Sequence, residues 1–337
     1  MHAIARQTIP QYSDDQFRTL QPLPTIHGRI KTLPDEFVVD ELLPFEPAGT
    51  GEHLYIEIEK TGANTGWVAY QLASFLGLRD LDVSYAGRKD RHGITTQWFS
   101  CYLPTGTDVD WEAFSLEGVV VKSMTWHRSK LRPGQLACNV FRIRVRHDDL
   151  TKWQRLDLVE RLERLSEHGF PNYFGPQRFG REGHNLLLAD QLLRKGERVR
   201  GNRGMLISAA RSWLFNGFLA RYLEQRERYL EQRERYLEQR ERHLELDDAQ
   251  EVAQGPLIGK SRDPQPGEEY FDETEQAWAA GLRKLGAKVG TRDLICRPSE
   301  MSWSFGEDAL VLQFRLPPGS YATSLLRELF LVEDASL

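Results

Sequence analysis

Segments that alternate apolar and polar residues recur in both halves of this chain, and they constrain its fold more than any other feature. In EHLYIEIEK (52–60), Leu54, Ile56 and Ile58 share one face, which is typical of a half-buried strand. Comparable strands are predicted at about 94–103, 119–126, 139–146 and 308–317, and helices after Asn64 or Thr65 and near 151–168. A mixed α+β core with a largely antiparallel sheet is therefore expected.

A helix-rich block separates the last predicted strand from the others, which indicates an insertion. We predict a core of about 1–168 and 296–337, and an inserted α/β domain of about 169–295. Inside the insertion, RYLEQRE occurs three times without change, at 221–227, 228–234 and 235–241. Glu-to-Arg pairs four residues apart favour a solvent-exposed helix there. Its apolar residues are too sparse for a strong coiled-coil seam, so we expect a monomer, with weak self-association through this helix as the alternative.

The composition limits the class of protein. The chain has 337 residues, enough for two domains. Its three cysteines, Cys101, Cys138 and Cys296, are far apart, which argues against a disulfide framework or a zinc pattern and suits a reducing compartment. The sequence begins without the apolar run of a signal peptide, and no window approaches about 18 continuous apolar residues. We therefore expect a cytoplasmic protein that does not associate with membranes.

The net charge of −5 hides a segregation of charge along the chain. Residues 243–280 carry ten acidic and two basic residues, whereas residues 118–147 carry seven basic residues and no acidic one. Phosphate binding depends on the local field, so a nucleic-acid partner is compatible with an acidic average. A solvated sheet face is the alternative interpretation of the basic segment.

The stretch YAGRKDRHGITTQ (85–97) places one carboxylate, Asp90, among Arg88, Lys89 and Arg91 on a turn between two predicted strands. These cations are expected to lower the pKa of Asp90 and keep it ionised. An ionised carboxylate on a rigid turn is suited to nucleophilic attack on carbon. A hairpin turn with a surface ion-pair cluster is the alternative.

The same stretch, extended to YAGRKDRHGITTQWFS, resembles the catalytic motif of the TruD family of tRNA pseudouridine synthases. Further blocks resemble the family in the family's order, and together they span most of the chain except about 218–290; they lie at 33–65, 132–145, 171–180, 208–216 and 316–329. The resemblance implies a pseudouridine synthase-type core with an inserted TRUD-type domain. It also implies tRNA as the partner and a reaction that needs no cofactor or metal.

Site residues follow from the resemblance position by position. Asp90 matches the family's nucleophilic aspartate, and Phe37 matches an aromatic residue at the substrate site. Asn139 matches an asparagine that contacts the substrate, and Phe141 takes the aromatic position that stacks on the target base. Tyr321 stands where relatives often carry phenylalanine, and ring stacking should survive the added hydroxyl.

The residue pattern agrees with this assignment, since period-two alternation places Asn139 and Phe141 on one face and Arg142 on the other. An asparagine amide offers a donor and an acceptor that match the N3–H and carbonyl edge of uracil. A phenyl ring is a stacking platform for a base that has left its stack. A core phenylalanine and a strand-end asparagine are the alternatives.

The predicted reaction begins when the target uridine, expected to be uridine 13 of the D arm, flips into the site. Asp90 then attacks C1′ or abstracts the 2′ proton to give a glycal, and the sequence leaves both routes open. Two rival functions are a non-catalytic RNA-binding or folding protein and an aspartate-nucleophile glycosylase or hydrolase. Candidate contacts to the RNA backbone are Lys89, Arg128, Lys130, Arg132 and Arg178.

The insertion departs from the family pattern, because the heptads and an acidic stretch replace a glycine-rich β segment. Within it, PNYFGPQRFG (171–180) is open to two interpretations, domain-junction packing and RNA contact.

Overall fold

A computed structural model of the chain describes residues 17–103, 107–199, 202–239 and 253–336, the side chains of 230–239 excepted. These residues form two compact units. The sheet unit contains Pro24–His168, Arg297–Ala322 and residues 329–336; the inserted unit contains residues 17–23, Gly169–Cys296 and Thr323–Glu328. Residues 17–23 and Thr323–Glu328, placed in the core by the sequence analysis, thus pack with the inserted unit. The assignment of catalysis to the predicted core, and of a TRUD-type domain to the predicted insertion, stays a prediction.

Fourteen strands and six α-helices occur in the described residues. The strands are β1 (His27–Ile30), β2 (Phe37–Leu42), β3 (His53–Thr61), β4 (Val83–Tyr85), β5 (Ile94–Tyr102), β6 (Val119–His127), β7 (Cys138–Arg146), β8 (Phe170–Pro171), β9 (Gln254–Leu257), β10 (Gly290–Asp293), β11 (Ile295–Cys296), β12 (Ser299–Phe305), β13 (Ala309–Leu316) and β14 (Leu331–Asp334). The helices are α1 (Thr65–Phe75), α2 (Lys152–His168), α3 (His184–Leu193), α4 (Arg203–Gln239), α5 (Glu273–Lys284) and α6 (Ala322–Leu326). Of these helices, none combines the length and the apolar character needed to cross a bilayer.

The sheet unit is built on a ten-stranded mixed sheet with the order β12-β13-β7-β2-β5-β3-β6, to which β1, β4 and β14 are added. Only two pairings among its strands are parallel, β1 with β14 and β2 with β5. The predicted mixed and largely antiparallel sheet is confirmed. Strands β12 and β13 follow the insertion and rejoin the sheet beside β7, as the alternation at 308–317 predicted.

Strand β3 buries its apolar face, and on the other face it buries Tyr55. Its predicted apolar face forms a core with α1, in which Val68 and Leu72 are fully buried. Tyr55, on the other face, is also fully buried and packs with Leu131 and Leu136 from the connection between β6 and β7. The prediction of a half-buried strand is therefore confirmed for most of β3, since His53, Glu57 and Glu59 on the second face are only partly buried. Tyr55 is the exception, because that connection covers it.

The two ends of the chain meet at β1 and β14. The strands pair in parallel from His27 opposite Leu331 to Ile30 opposite Asp334. A Cβ on Gly28 would lie 2.7 Å from the Phe330 ring, so the strands and their flanking residues pack closely. This pairing brings Lys31, the residue after β1, beside Asp334.

In the inserted unit, the short antiparallel pairing of β8 with β11 brings the entry and exit of the insertion together. Helix α4 continues through the first two heptads, and the first heptad is part of the packing: Leu223 is buried and Arg221 lies 3.3 Å from Glu275. The predicted pair between Glu224 and Arg228 forms at 2.6 Å. The corresponding pairs of the next two heptads, and the self-association alternative, fall on side chains outside the described residues.

Candidate active site

The charged stretch around Asp90 forms the loop between β4 and β5, which pair in antiparallel fashion. Two side chains fix the first half of this loop. Thr65, at the start of α1, accepts a hydrogen bond from the Lys89 amide at 3.0 Å, and Gln97 of β5 donates to the Gly87 carbonyl at 3.0 Å. Because Thr65 also donates to Gln97 at 2.7 Å, the two anchors hold each other in place.

The second half of the loop is fixed by backbone contacts. Gly62, just after β3, donates its amide to the Arg91 carbonyl at 3.0 Å, and Arg91 Nε returns a bond to the Gly62 carbonyl at 2.9 Å. Gly93 lies so close to β2 that a Cβ there would be 2.2 Å from the Phe37 carbonyl oxygen. The loop is therefore constrained at both ends, although it is longer than the tight turn that was expected.

The Asp90 carboxylate is largely buried and paired with a lysine from a distant part of the sequence. Its Oδ2 lies 2.6 Å from Lys31 Nζ, whose side chain is 2% exposed and which also lies 2.7 Å from Asp334. The His92 amide donates to Asp90 Oδ1 at 3.0 Å. Burial alone raises the pKa of Asp90, but the charge and hydrogen bond of Lys31, with the contribution of His92, outweigh burial and lower it.

The direction of this shift is the predicted one, but the predicted cations do not cause it. Arg88, Lys89 and Arg91 were the cations expected to lower the pKa of Asp90, whereas Lys31 supplies the main favourable charge. Lys89 and Arg91 are next to Asp90 in sequence, but their side chains contact Glu41 and the Gly62 carbonyl instead of the Asp90 carboxylate. Lys31 also has a backbone φ of 58°, a left-handed conformation that an L-residue with a side chain adopts at a cost.

A second buried lysine supports the loop from β3. Lys60 is 1% exposed, and its ammonium donates to the Asp90 backbone carbonyl at 2.8 Å. Burial lowers the pKa of Lys60 to about 8, with the charge of Asp90 acting against the shift and that of Lys89 adding to it. Lys60 therefore holds the backbone of Asp90 while Lys31 holds its carboxylate.

Lys89 is directed inward, which revises the expectation that it contacts RNA phosphates. Its ammonium lies 2.7 Å from Glu41 Oε2, and the two side chains are 7% and 0% exposed. The same ammonium donates to Asn139 Oδ1, on the residue that faces Glu41 across the β2 and β7 pairing. The oxygen of the Asn139 amide is thus engaged, which leaves its NH₂ group as the side available for a substrate carbonyl.

Aromatic rings line the same part of the sheet. The Phe37 and Phe141 rings meet edge to face with centroids 6.2 Å apart, and Phe141 stacks on Phe314 at 5.3 Å. Lys31 Nζ lies 4.8 Å from the Phe37 ring centroid, a cation–π contact that connects the rings to the ion pair of Asp90. The predicted alternation along β7 is confirmed, since Asn139 and Phe141 are buried and Arg142 is exposed.

Four of the predicted site residues, Asp90, Phe37, Asn139 and Phe141, are thus connected within the sheet unit through Lys31 and Lys89. The fifth, Tyr321, lies just before α6 and is partly exposed. Its place at the substrate stays a prediction.

The other predicted RNA contacts lie in different places. Arg128 and Arg132 are exposed in the connection between β6 and β7, where Lys130 donates to the Leu81 carbonyl. Arg178 belongs to the inserted unit. It donates to Ser208 at 3.2 Å and lies over the Phe174 ring at 5.5 Å, which supports the packing interpretation of its segment.

Three site residues, Lys31, Glu41 and Lys60, were not identified from the sequence. Each is a charged residue at a strand end or on a polar strand position, where solvent exposure is the ordinary expectation. Glu41 falls within a block that resembles the family, EFVVDE, but the residue type alone gave no role. Lys60 ends the alternating strand EHLYIEIEK, and its even spacing from Leu54, Ile56 and Ile58 was the available signal of burial.

Comparisons with known proteins point to one family. A family model described as tRNA pseudouridine synthase D (TruD) matches residues 18–198 and 268–329. The tRNA pseudouridine synthase D of Photobacterium profundum is 38% identical over 344 residues, covering 96% of this chain and 97% of that protein. The protein of the same description from Cellvibrio japonicus is 39% identical over 319 residues, covering 91% of this chain and 90% of its own length.

A solved structure shares the fold. It is that of a putative tRNA pseudouridine synthase D (TruD) from Methanosarcina mazei, which matches with a TM-score of 0.57 at 18% identity and covers 91% of this chain and 94% of that one. The family model covers well over half of the chain, and the relatives align over nearly all of it. The chain therefore belongs to the tRNA pseudouridine synthase D (TruD) family.

Proposed function

We propose that this protein converts a uridine of tRNA to pseudouridine, with Asp90 as the residue that attacks the nucleotide. The observation that carries the proposal is the ion pair between Asp90 and the buried Lys31, next to the Phe37 and Phe141 rings. An ionised carboxylate at the edge of an aromatic cluster combines the charge that the reaction needs with a surface that binds a pyrimidine. Family membership supplies tRNA as the substrate, and uridine 13 is the finer expectation from the resemblance.

The reaction breaks the bond between C1′ and N1, rotates the uracil and forms a bond between C1′ and C5. C5 loses its proton and N1 gains one, so that the product is an isomer of the substrate. Asp90 acts either by attacking C1′ to form an ester or by removing the 2′ proton. Both routes need the carboxylate in its ionised form, and the lowered pKa of Asp90 keeps it ionised across the neutral range. Neither route consumes an oxidant, a reductant or a water molecule.

Lys31 and Lys60 act on Asp90 in different ways. Lys31 pairs with the reacting carboxylate, so it sets the charge of Asp90 in the free enzyme. Lys60 donates to the backbone carbonyl of the same residue, so it fixes the position from which the carboxylate reaches the sugar. Preorganised groups of this kind reduce the reorganisation that the reaction must otherwise include.

Asn139 is proposed to hold the uracil by a carbonyl rather than by its whole edge. Since Lys89 donates to Asn139 Oδ1, the Asn139 NH₂ group is oriented away from the lysine as a donor. A uracil carbonyl can accept from this NH₂ before and after the base rotates, because uracil carries a carbonyl on either side of N3. This contact would retain the detached base between bond cleavage and bond formation.

The experiment is incubation of the protein with unmodified tRNA, followed by mapping of pseudouridine and measurement of free uracil. New pseudouridine supports the proposal, released uracil supports a hydrolase, and unchanged tRNA supports a binding protein without catalysis. Asp90→Asn should abolish product while tRNA affinity stays within about twofold, because the amide keeps the size but loses the charge. Asp82→Asn is the matched control, since Asp82 pairs with the exposed Arg79. Normal turnover by Asp90→Asn would remove Asp90 from the mechanism.

A further inference from the structure

A concave basic surface occurs in the inserted unit, formed by the end of α3, the start of α4 and the end of α5. It encloses a cavity of about 530 Å³. Five basic side chains and one acidic side chain line this cavity, and we name it the α3–α4 basic cavity; they are Arg194, Lys195, Arg198, Arg203, Lys284 and Glu197. Nothing in the proposed reaction uses these residues.

The floor of the cavity is rigid. Arg194 Nε and Nη2 each donate to the fully buried Asp190 carboxylate at 2.7 Å, and Trp278 Nε1 donates to the same carboxylate at 3.0 Å. Helix α5 crosses α3 closely at Gly281, where a Cβ would lie 2.5 Å from the Leu193 carbonyl oxygen. The carboxyl ends of α3 and α5, next to which Lys195 and Lys284 lie, are therefore held together.

Among the described residues, the charge in the cavity is not balanced. Asp190 neutralises Arg194, which leaves Lys195, Arg198, Arg203 and Lys284 facing Glu197. These four cations are exposed, and they make no ion pair with any described residue. Several like charges around a concave surface produce a positive potential that a bound anion relieves.

Helix stabilisation accounts for only part of this cluster. Lys195 follows the carboxyl end of α3 and Lys284 is the last residue of α5, where cations favour the helix dipole. Arg203 is the first residue of α4, where a cation is unfavourable for the same reason. Arg198 belongs to no helix. Helix stabilisation therefore does not account for the positions of these two arginines.

We propose that the α3–α4 basic cavity binds backbone phosphates of the tRNA, so that the inserted unit makes its own contact with the substrate. The proposal rests on the proposed function for the identity of the RNA. Arginine is suited to this role because its planar guanidinium donates two parallel hydrogen bonds to a phosphate. Contacts of this kind position the RNA and carry no sequence information.

The test is a double variant, Arg198→Ala with Arg203→Ala, assayed by tRNA binding across a range of salt concentrations. Affinity should fall by about tenfold or more at 0.1 M salt, and the slope of log K against log salt should decrease in magnitude by roughly one to two. The matched control is Lys260→Ala with Arg262→Ala, which removes two exposed charges from the same unit outside the cavity. Replacement of both cavity arginines by lysine keeps the charge but loses the paired hydrogen bonds, so it should restore the salt slope and only part of the affinity.

The outcomes separate the two proposals. Loss of affinity in the cavity variant but not in the control, with an unchanged melting temperature, supports the phosphate site. Equal losses in both variants would reduce the effect to net charge and overturn it, as would unchanged affinity in the cavity variant. Pseudouridine formation by the unaltered protein is measured in parallel, so that an absent reaction with intact, cavity-dependent tRNA binding counts against the proposed function alone.

Discussion

Replacing Lys31 by methionine tests the central ion pair of the site against a control at Arg29, two residues earlier in the chain. Methionine matches the length of the lysine side chain and lacks the charge. Because lysine and methionine are both L-residues with unbranched side chains, the strain of the left-handed backbone at φ 58° stays the same. The substitution therefore removes the ammonium that lies 2.6 Å from Asp90 and 2.7 Å from Asp334, with little other change.

The expected cost follows from burial. Removing one partner of a buried ion pair costs about 3–5 kcal/mol, since the other partner is left charged and unpaired. The Asp90 and Asp334 side chains are 19% and 13% exposed, so water still reaches them and the lower end of that range, about 3 kcal/mol, applies. The control is Arg29→Met. Arg29 pairs with Glu333 at 3.3 Å across the same β1 and β14 pairing, but both side chains are more than half exposed, so the loss should stay below about 1 kcal/mol.

The assay is urea unfolding followed by circular dichroism at pH 7, with the midpoint and the slope m reported for each variant. If the two units unfold separately, both variants report on the same transition, because both positions lie in the sheet unit. Asp90 has a lowered pKa in the folded state, so its contribution to stability is present above its unfolded pKa of about 3.9 and is lost as the pH falls through the folded value. The difference between wild type and Lys31→Met should therefore narrow in acid.

The same variant should also move the pH dependence of the reaction. Without Lys31, burial and the neighbouring Asp334 both raise the pKa of Asp90, so the acid limb of the pseudouridine rate profile should shift to higher pH. A loss of stability in Lys31→Met no larger than that in Arg29→Met would refute the energetic role of the Lys31 ion pair. An acid limb that stays where it is in the wild type would refute the effect of Lys31 on the pKa of Asp90.

Two further predictions concern the loop and its supporting lysine. Gly93→Ala should destabilise the sheet unit and reduce turnover at least tenfold, because its Cβ would meet the Phe37 carbonyl at 2.2 Å. Gly87→Ala is the control and should be tolerated, since nothing lies within 4 Å of a Cβ there. Equal activity of the two variants would contradict this prediction. Lys60 has its folded pKa lowered to about 8, so between pH 8 and about 10.4 the unfolded chain binds more protons and stability should rise with pH by up to roughly 3 kcal/mol. Lys60→Met should lack that rise, and parallel pH curves for the two proteins would show that Lys60 is not the group responsible.

The strands that carry the site were predictable because their signal is local. Alternation along β7 shows in nine consecutive residues that Asn139 and Phe141 share a face. The loop with Asp90 was predictable for the same reason, since a charged run lies between two strand patterns. The burial of Tyr55 on the second face of β3 was not predictable, because it depends on a connection that contains no regular pattern of its own.

Lys31 could not be found in this way, because its environment comes from distant segments. Its partner Asp334 is 303 residues away and reaches it only through the parallel pairing of the two chain ends. A lysine after a short strand otherwise indicates an exposed position. The boundaries of the units could not be predicted exactly for a similar reason. Residues 17–23 pack with the inserted unit through nonlocal hydrogen bonds, such as those from the Leu20 and Gln21 amides to Glu328.

Charge balance accounts for the burial of several ionised groups around Asp90. At neutral pH the ammonium groups of Lys31, Lys60 and Lys89 are set among three carboxylates, those of Asp90, Glu41 and Asp334. Such a network has no net charge, which is the condition under which several ions can be buried together. A neutral network does not attract a polyanion, so it can position Asp90 but cannot draw in the tRNA.

The loop's own bases therefore have separate roles. Lys89 turns inward to Glu41 and Asn139, Arg91 secures the backbone of Gly62, and Arg88 is exposed. If the site itself contributes no net attraction, the affinity for tRNA must come from exposed cations elsewhere. Substitutions within the buried network should then change turnover with little effect on the salt dependence of binding. Exposed positions such as those of the α3–α4 basic cavity should show the reverse. A variant of Lys31 that lost the salt dependence of binding would contradict this separation of catalysis from attraction.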